Sequence, residues 1–485
     1  MEACISLPLE KPLLDEIVVR SKDFANMHGI VMRRPETPTS SDVVCFTPHT
    51  LVPSPVPKKL FYQSLAIQND FNLLIHAMSH DYEFLKSVLK SSIQQEEFVK
   101  RHFDIYEEVY IHNTPCQPII LGMLRSDYVL DCDDLENISN NNIKIKQVKL
   151  FVTSASMAGL GTQCTRLHRF NLENLGKQDI AANLPECKAV ENMAKVFAEA
   201  WRMYGNKKAA IMLIIRHNST TVTDQRWLEY EIRHLDKSIP IIRRGFKDII
   251  ERAKLVDNKL IIDDYEIGIV YYRTGYLIEH YPTDKEWEAR LMIEKSLAIK
   301  CPSIGYRLAC ITVLKQEIFR SGSIERLQKY FPDGEDAINR IRDLFPGLYT
   351  LDMDSEGSKN VQKALQNPNK YVLKSRKLEG DTLYDEDLVS KLNELGEDKR
   401  RAEYVLIDRI KPPVVKNYIV QSGKDVENRE TVSEIGIFAA IISQGENLLI
   451  NSTCGHILKT KTKSYKEGGA SVDNAVEYID SPFLV

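Results

Sequence analysis

No two of the nine cysteines stand at CxxC spacing: Cys4, Cys45, Cys116, Cys132, Cys164, Cys187, Cys301, Cys310 and Cys454 are scattered and odd in number. That excludes a zinc ribbon and a disulfide-built scaffold and favours a reducing compartment, the cytoplasm. No run of 18 apolar residues occurs, so no segment reads as a membrane-spanning helix. Neither sign of charge prevails. Sixty-four Lys and Arg against 68 Asp and Glu leave −4, which argues against a nucleic-acid binder of global basic charge. Glycine (22) and proline (20) are too few for collagen-like or low-complexity sequence. Met1-Glu2-Ala3-Cys4 lacks the basic start and apolar core of a secretory signal. A signal removed ahead of residue 1 would leave a secreted form open, with Asn137, Asn218 and Asn451 as glycosylation acceptors.

What is present is ordinary core-forming sequence. Of 485 residues 43% are hydrophobic and 27% charged, enough for about two or three structural units. The first 60 residues, with prolines at 35, 38, 48, 53, 55 and 57, read as irregular surface wrapping. Helical spacing runs from about Leu65 to Arg101, and again through Met193, Val196, Phe197, Ala200 and Trp201, with Gly205 as C-cap. Ala209–Ile215 and Ile267–Tyr272 are short continuous apolar runs, the mark of strands buried on both faces. A helix over Asp224–Leu235 and a strand at Ile241-Ile242 lie between them, which predicts a parallel α/β unit over 208–313. A helix over Gly305–Arg320 follows. Strands are then expected at Tyr371–Lys374, Tyr404–Ile410, Ser433–Ile442 and Asn447–Asn451, with a loop over 375–382 and a lysine-rich tail loop over 459–473.

The C-terminal third carries the most suggestive chemistry. Lys374 ends a strand before a loop with Gly380, and Ile407-Asp408-Arg409-Ile410 offers an apolar strand edge. Ser433-Glu434 opens another strand, and Lys459, Lys461, Lys463 and Lys466 lead to Gly468-Gly469. Apolar edges can sandwich a purine while lysines neutralise phosphates. The same pattern also fits a surface sheet with solvated lysines.

Collinear blocks along the chain resemble the eukaryotic-type glutathione synthetase family. They include Leu124-Arg125-Ser126-Asp127-Tyr128, Ser154-Ala155-Ser156, Asp224-Gln225-Arg226, Trp287-Glu288-Ala289-Arg290 and Lys300-Cys301-Pro302. Tyr371-Val372-Leu373-Lys374, Ser433-Glu434-Ile435-Gly436-Ile437-Phe438 and Gly455-His456-Ile457-Leu458 continue the series. The resemblance implies an α/β (α+β) ATP-grasp fold, its body formed by 1–207 and 314–485 around an inserted substrate-binding domain. It implies a homodimer that joins glycine to γ-glutamylcysteine through an acyl phosphate, with ATP and Mg2+ as cofactors and neither nucleic acid nor membrane as partner. A carboxylate is a poor electrophile until phosphorylated, and phosphoryl transfer depends on cations placed around the triphosphate. Position by position, Arg125, Ser154, Ser156, Gln225, Arg273, Tyr276 and Lys459 stand at peptide-substrate contacts. Lys374, Tyr384, Ile407, Asp408, Arg409, Ile410, Glu434, Lys461 and Glu467 stand at ATP contacts. No catalytic residue is assigned.

Several positions depart from the family pattern. Lys149 and Phe151 replace a metal-binding glutamate and asparagine, leaving Glu379 as the remaining candidate metal ligand. Thr312 replaces an ATP-binding lysine, with Lys315 one turn away, and the loop 375–382 loses three consecutive glycines and one residue of length. Ser219 stands at a substrate-contacting glutamate and Lys459 at the family's tail arginine. An ammonium donates hydrogen bonds and cannot ligate magnesium. The expectation is weak or lost ligation of glycine. Two alternatives stay open: an active ligase with a changed acceptor amino acid, and a non-catalytic binding protein on the same scaffold.

Overall fold

The computed structural model describes residues 1–113, 115–138, 142–311, 324–376, 380–463 and 476–485. Among them, one extended sheet organises the body. Its centre is Ile119–Cys132, flanked on one edge by Glu427–Gln444 in an antiparallel pairing that runs from Glu434↔Val129 to Gln444↔Ile119. Its other edge is shared. Ile143–Phe151 pairs with residues 125–132, and Ile299–Cys301 joins in parallel at Ile120. Through Ile299–Cys301 the parallel strands Tyr265–Tyr272, Ala210–Ile214 and Ile241–Arg244 continue the same sheet. The expected strands of this segment are therefore parallel, and their sheet is continuous with the central one. Ala210–Ile214 is buried at every position, as its unbroken apolar run requires.

Helices cover both faces. Ala189–Tyr204 buries Met193, Val196, Phe197, Ala200 and Trp201 and ends at Gly205, whose φ of 88° suits a left-handed C-cap. The helical stretch foreseen at Leu65–Arg101 is three helices, Lys58–His80, Tyr82–Gln95 and Glu97–Tyr106, broken at Asp81, whose carboxylate caps Phe84 N–H at 3.0 Å. The helix expected over Gly305–Arg320 runs Ile304–Ala309, and its expected remainder falls outside the described residues.

Two expectations are corrected. The N-terminal 60 residues are not all irregular: Lys11–Met27 is a helix burying Leu14, Ile17, Val18, Ser21 and Ala25. The tail does not begin as a loop at Lys459. The hairpin partner of Glu427–Gln444 runs Asn447–Thr462, so Lys459 and Lys461 stand on a strand.

A second, four-stranded antiparallel sheet stands apart, in the order Leu348–Thr350, Tyr404–Asp408, Tyr371–Ser375, Thr382–Leu383. Helices Ser355–Gln366 and Asp385–Leu395 pack on it around Leu351, Val361, Leu373, Leu388, Leu392 and Leu406. Lys146 ties it to the body, donating from Nζ to the Asp343 and Phe345 carbonyls at 2.9 and 3.0 Å.

Candidate functional site

Register across the central strands decides which charges meet. Arg125 lies opposite Phe438 on one neighbour and Phe151 on the other; Asp127 lies opposite Gly436 and Lys149; Glu434 lies opposite Lys459. Side chains two apart on a strand share a face. Arg125 therefore reaches Asp127 through Nε at 2.8 Å and Nη2 at 3.0 Å, while Nη1 donates to the Ser156 carbonyl at 2.8 Å. Its guanidinium also lies 4.8 Å from the Phe151 ring centre. A Cβ at Gly436 would stand 3.0 Å from Asp127 Oδ1 and 3.3 Å from Arg125 Cδ, so glycine leaves room for this pair.

Lys459 is 1% exposed, and its ammonium contacts Asp127 at 2.7 Å, Glu434 at 2.5 Å and Glu477 at 3.9 Å. Lys461 adds contacts to Glu477 at 3.0 Å and Glu434 at 3.7 Å, and Lys149 reaches Glu434 at 3.5 Å. Burial alone would push the Glu434 carboxyl up, yet Lys459 and then Lys149 hold it well below the usual carboxylate range. Burial lowers Lys149, partly offset by Glu434, whereas Asp127 and Glu434 overcome burial at Lys459 and raise it. Lys459, expected at the peptide, has its buried ammonium on Asp127 and Glu434.

Beside this cluster the Ser154–Met157 turn holds two left-handed residues, Ser154 at φ 57° and Met157 at φ 78°. Non-glycine residues persist there only where surroundings enforce them. Here Asp224 accepts Met157 N–H at 2.8 Å, Arg125 takes the Ser156 carbonyl, and Arg273 takes the Ala155 carbonyl at 3.3 Å. Arg273 also stands 3.6 Å from Asp224 and 3.1 Å from Tyr271 Oη. Gln225 donates to Ser219 Oγ at 3.2 Å and accepts from Arg243 at 2.6 Å, and Glu229 holds Arg243 in turn. Ala155, Asp224, Gln225, Tyr271 and Arg273 line a small cavity with Leu213 and Leu228 as apolar wall. Arg125, Ser154, Ser156, Gln225 and Arg273 thus gather at one turn. Tyr276 is held separately, its ring 4.7 Å from His280 and its carbonyl on Arg307 at 3.0 Å.

The expected nucleotide residues fall on the four-stranded sheet and the facing edge of the body. Lys374 lies on Tyr371–Ser375, opposite Val405. Ile407, Asp408, Arg409 and Ile410 are half-buried. Asp408 accepts from Tyr349 Oη at 3.0 Å and Gly347 N–H at 3.1 Å, and Arg409 pairs with Asp385 at 2.6 Å, 5.5 Å over the Tyr384 ring. Glu379, Glu467, Thr312 and Lys315 lie outside the described residues.

A small antiparallel sheet carrying a lysine and an apolar edge, set against a large sheet with a cluster of basic side chains, has the form of an ATP-grasp fold. The chain belongs to the eukaryotic glutathione synthetase family: the family model "Eukaryotic glutathione synthase, ATP binding domain" matches residues 11–484. Glutathione synthetase of Xenopus laevis is 37% identical over 475 residues, covering 98% of this chain and 97% of that protein. The Homo sapiens enzyme is 36% identical, with 99% of each covered. Among solved structures, a glutathione synthetase-like effector from Globodera pallida in apo form superimposes with a TM-score of 0.78 at 24% identity, covering 99% of this chain and 98% of that one.

The family's magnesium does not fit the residues at 149 and 151. Asp127, Glu434 and Glu477, the carboxylates nearest Lys149, are already held by ammonium or guanidinium groups, and Phe151 offers no oxygen. Among the described residues, no group of three or more His, Cys, Asp or Glu is arranged to hold a metal. Asp127, Asp224, Arg243 and Glu477 form much of the site without being singled out from the sequence. The Arg125-x-Asp127 spacing on one strand was the available signal for Asp127; the others depend on partners remote in sequence.

Proposed function

We propose that this protein binds ATP and γ-glutamylcysteine or a related thiol peptide and that its ligation of glycine is depressed. The observation that carries this reading is Lys149 on Glu434, with Phe151 on Arg125, where the family resemblance calls for two oxygen ligands. The gathered peptide residues support retained peptide binding, and the basic corner supports a polyanion. Phosphoryl transfer needs positioned cations around the leaving and attacking oxygens, a task for magnesium that one ammonium fills poorly. Losing one positioned electrostatic group costs about 10²–10³ in rate, and neighbouring losses do not multiply. ADP release coupled to γ-glutamylcysteine and glycine is expected to lie at least about 10²-fold below that of an intact family enzyme. Turnover equal to that enzyme would sink the proposal. A homodimer, also implied by the family, is checked by sedimentation of the same preparation.

A further inference from the structure

We propose that the chain supplies the counter-charge for nucleotide phosphates from Lys149 and the lysines beside it, and so binds a nucleoside triphosphate without a divalent cation. This rests on the nucleotide reading above. Among the described residues, four cationic side chains, Arg125, Lys149, Lys459 and Lys461, surround three carboxylates, Asp127, Glu434 and Glu477, leaving one positive charge in excess. Lys459 is the buried keystone, satisfied by Asp127 and Glu434 at 2.7 and 2.5 Å. It leaves those carboxylates unable to take a metal. Lys149 differs: its side chain is 35% exposed, and among the described residues its one ion pair is long, at 3.5 Å. An ammonium has three N–H donors, so this one keeps donors for an incoming anion. It carries +1 with no demand for an octahedral oxygen shell, and it repels a divalent ion arriving at the same place. Phe151, whose ring lies 4.8 Å from the Arg125 guanidinium, puts a hydrocarbon at the neighbouring position and offers no oxygen ligand there. Such a corner holds phosphate yet lacks the bridging Lewis acid that transfer requires.

The test is calorimetric titration with ATP in EDTA and in magnesium. Wild-type Kd values are expected to agree within about threefold between the two, and Lys149→Ala to weaken binding in EDTA by about tenfold, the worth of a charge-assisted contact. Lys149→Arg keeps the charge and is expected to keep the affinity, which separates charge loss from misfolding. Lys149→Glu with Phe151→Asn should convert the protein to magnesium-dependent binding. Wild-type binding only with magnesium, unchanged by Lys149→Ala, overturns this inference and leaves the nucleotide reading standing. Binding in neither condition overturns both.

Discussion

Arg125 has a structural task and a proposed one at the ligand, and a substitution separates them. Its guanidinium grips Asp127 through two N–H groups and the Ser154–Met157 turn through a third, which leaves donors for a ligand carboxylate. Arg125→Ala is expected to cost about 1.5–3 kcal/mol of γ-glutamylcysteine binding, the range for hydrogen bonds to charged groups. It also strips a buried carboxylate of one partner, so stability falls as well, although Lys459 still holds Asp127 at 2.7 Å. Titration calorimetry with the peptide, alongside urea unfolding of the same variant, reads the two effects separately. An unchanged peptide affinity would remove Arg125 from the ligand's surroundings and leave it a purely structural residue.

At the scale of elements, the corner proposed to hold the peptide depends on how closely the helix Ala158–Asn174 approaches the helix Val222–Leu235, which carries Asp224 and Gln225. Gly159 permits it: a Cβ there would stand 2.6 Å from Trp227 Cβ. Gly→Ala in a helix interior ordinarily stabilises by about 1 kcal/mol, whereas overpacking costs about 1–3 kcal/mol. Clash against the stem of a large ring should win, so Gly159→Ala is expected to lower the midpoint of thermal unfolding and to weaken peptide binding by moving Asp224 away from Met157 N–H. A raised midpoint would show that Trp227 yields freely. Elements of this kind were unevenly legible in the sequence. Ala210–Ile214 and the buried part of Tyr265–Tyr272, from Ile267 onward, announced themselves because strands buried on both faces need apolar residues without a break. The exposed Tyr265 and half-buried Glu266 at its start were not foreseen. Lys11–Met27 was obscured by the proline-rich segment after it, although Leu14, Ile17, Val18, Ser21 and Ala25 keep helical spacing. Glu427–Gln444 was foreshortened because its first four residues are exposed and polar. Lys459-Thr460-Lys461 read as a loop because lysine suggests solvent. On the strand, Lys459 and Lys461 turn to Glu434, and Thr460 turns to Asp480 at 2.7 Å. Side-chain alternation was visible; the carboxylates that let both sides of this stretch be buried, Glu434 under the lysines and Asp480 under Thr460, are distant in sequence and were not.

Across the whole molecule, buried imidazoles dominate the response to acid. Burial holds His49, His76, His168, His280 and His456 at about 4 and His102 well below its usual value, against 6.5 for the free side chain. Between pH 6.5 and 4 the unfolded chain therefore takes up protons that the folded chain refuses. Stability rises with pH wherever the unfolded state binds more protons, so it falls as pH drops through this window, each histidine contributing up to about 1.4 kcal/mol per pH unit. Asp480 works in the opposite sense. Burial raises it to about 6, against hydrogen bonds from Ser54 and Thr460, so below pH 6 the folded state takes up a proton there that the unfolded state refuses until near 4. Burial raises Asp70 and Glu231 as well, and three carboxyls against six imidazoles still leave a net loss. The urea midpoint is expected to fall markedly from pH 7.5 to pH 5. His456 offers the cleanest dissection, because among the described residues its Nε2 has no hydrogen-bond partner and its ring packs edge-on against Phe61 at 5.0 Å. His456→Phe keeps an aromatic ring in that place and removes one buried base, so the drop between pH 7.5 and pH 5 should shrink by about 1–2 kcal/mol. A midpoint that stays level over this range in the wild type would mean that the imidazoles reach water and protonate without unfolding.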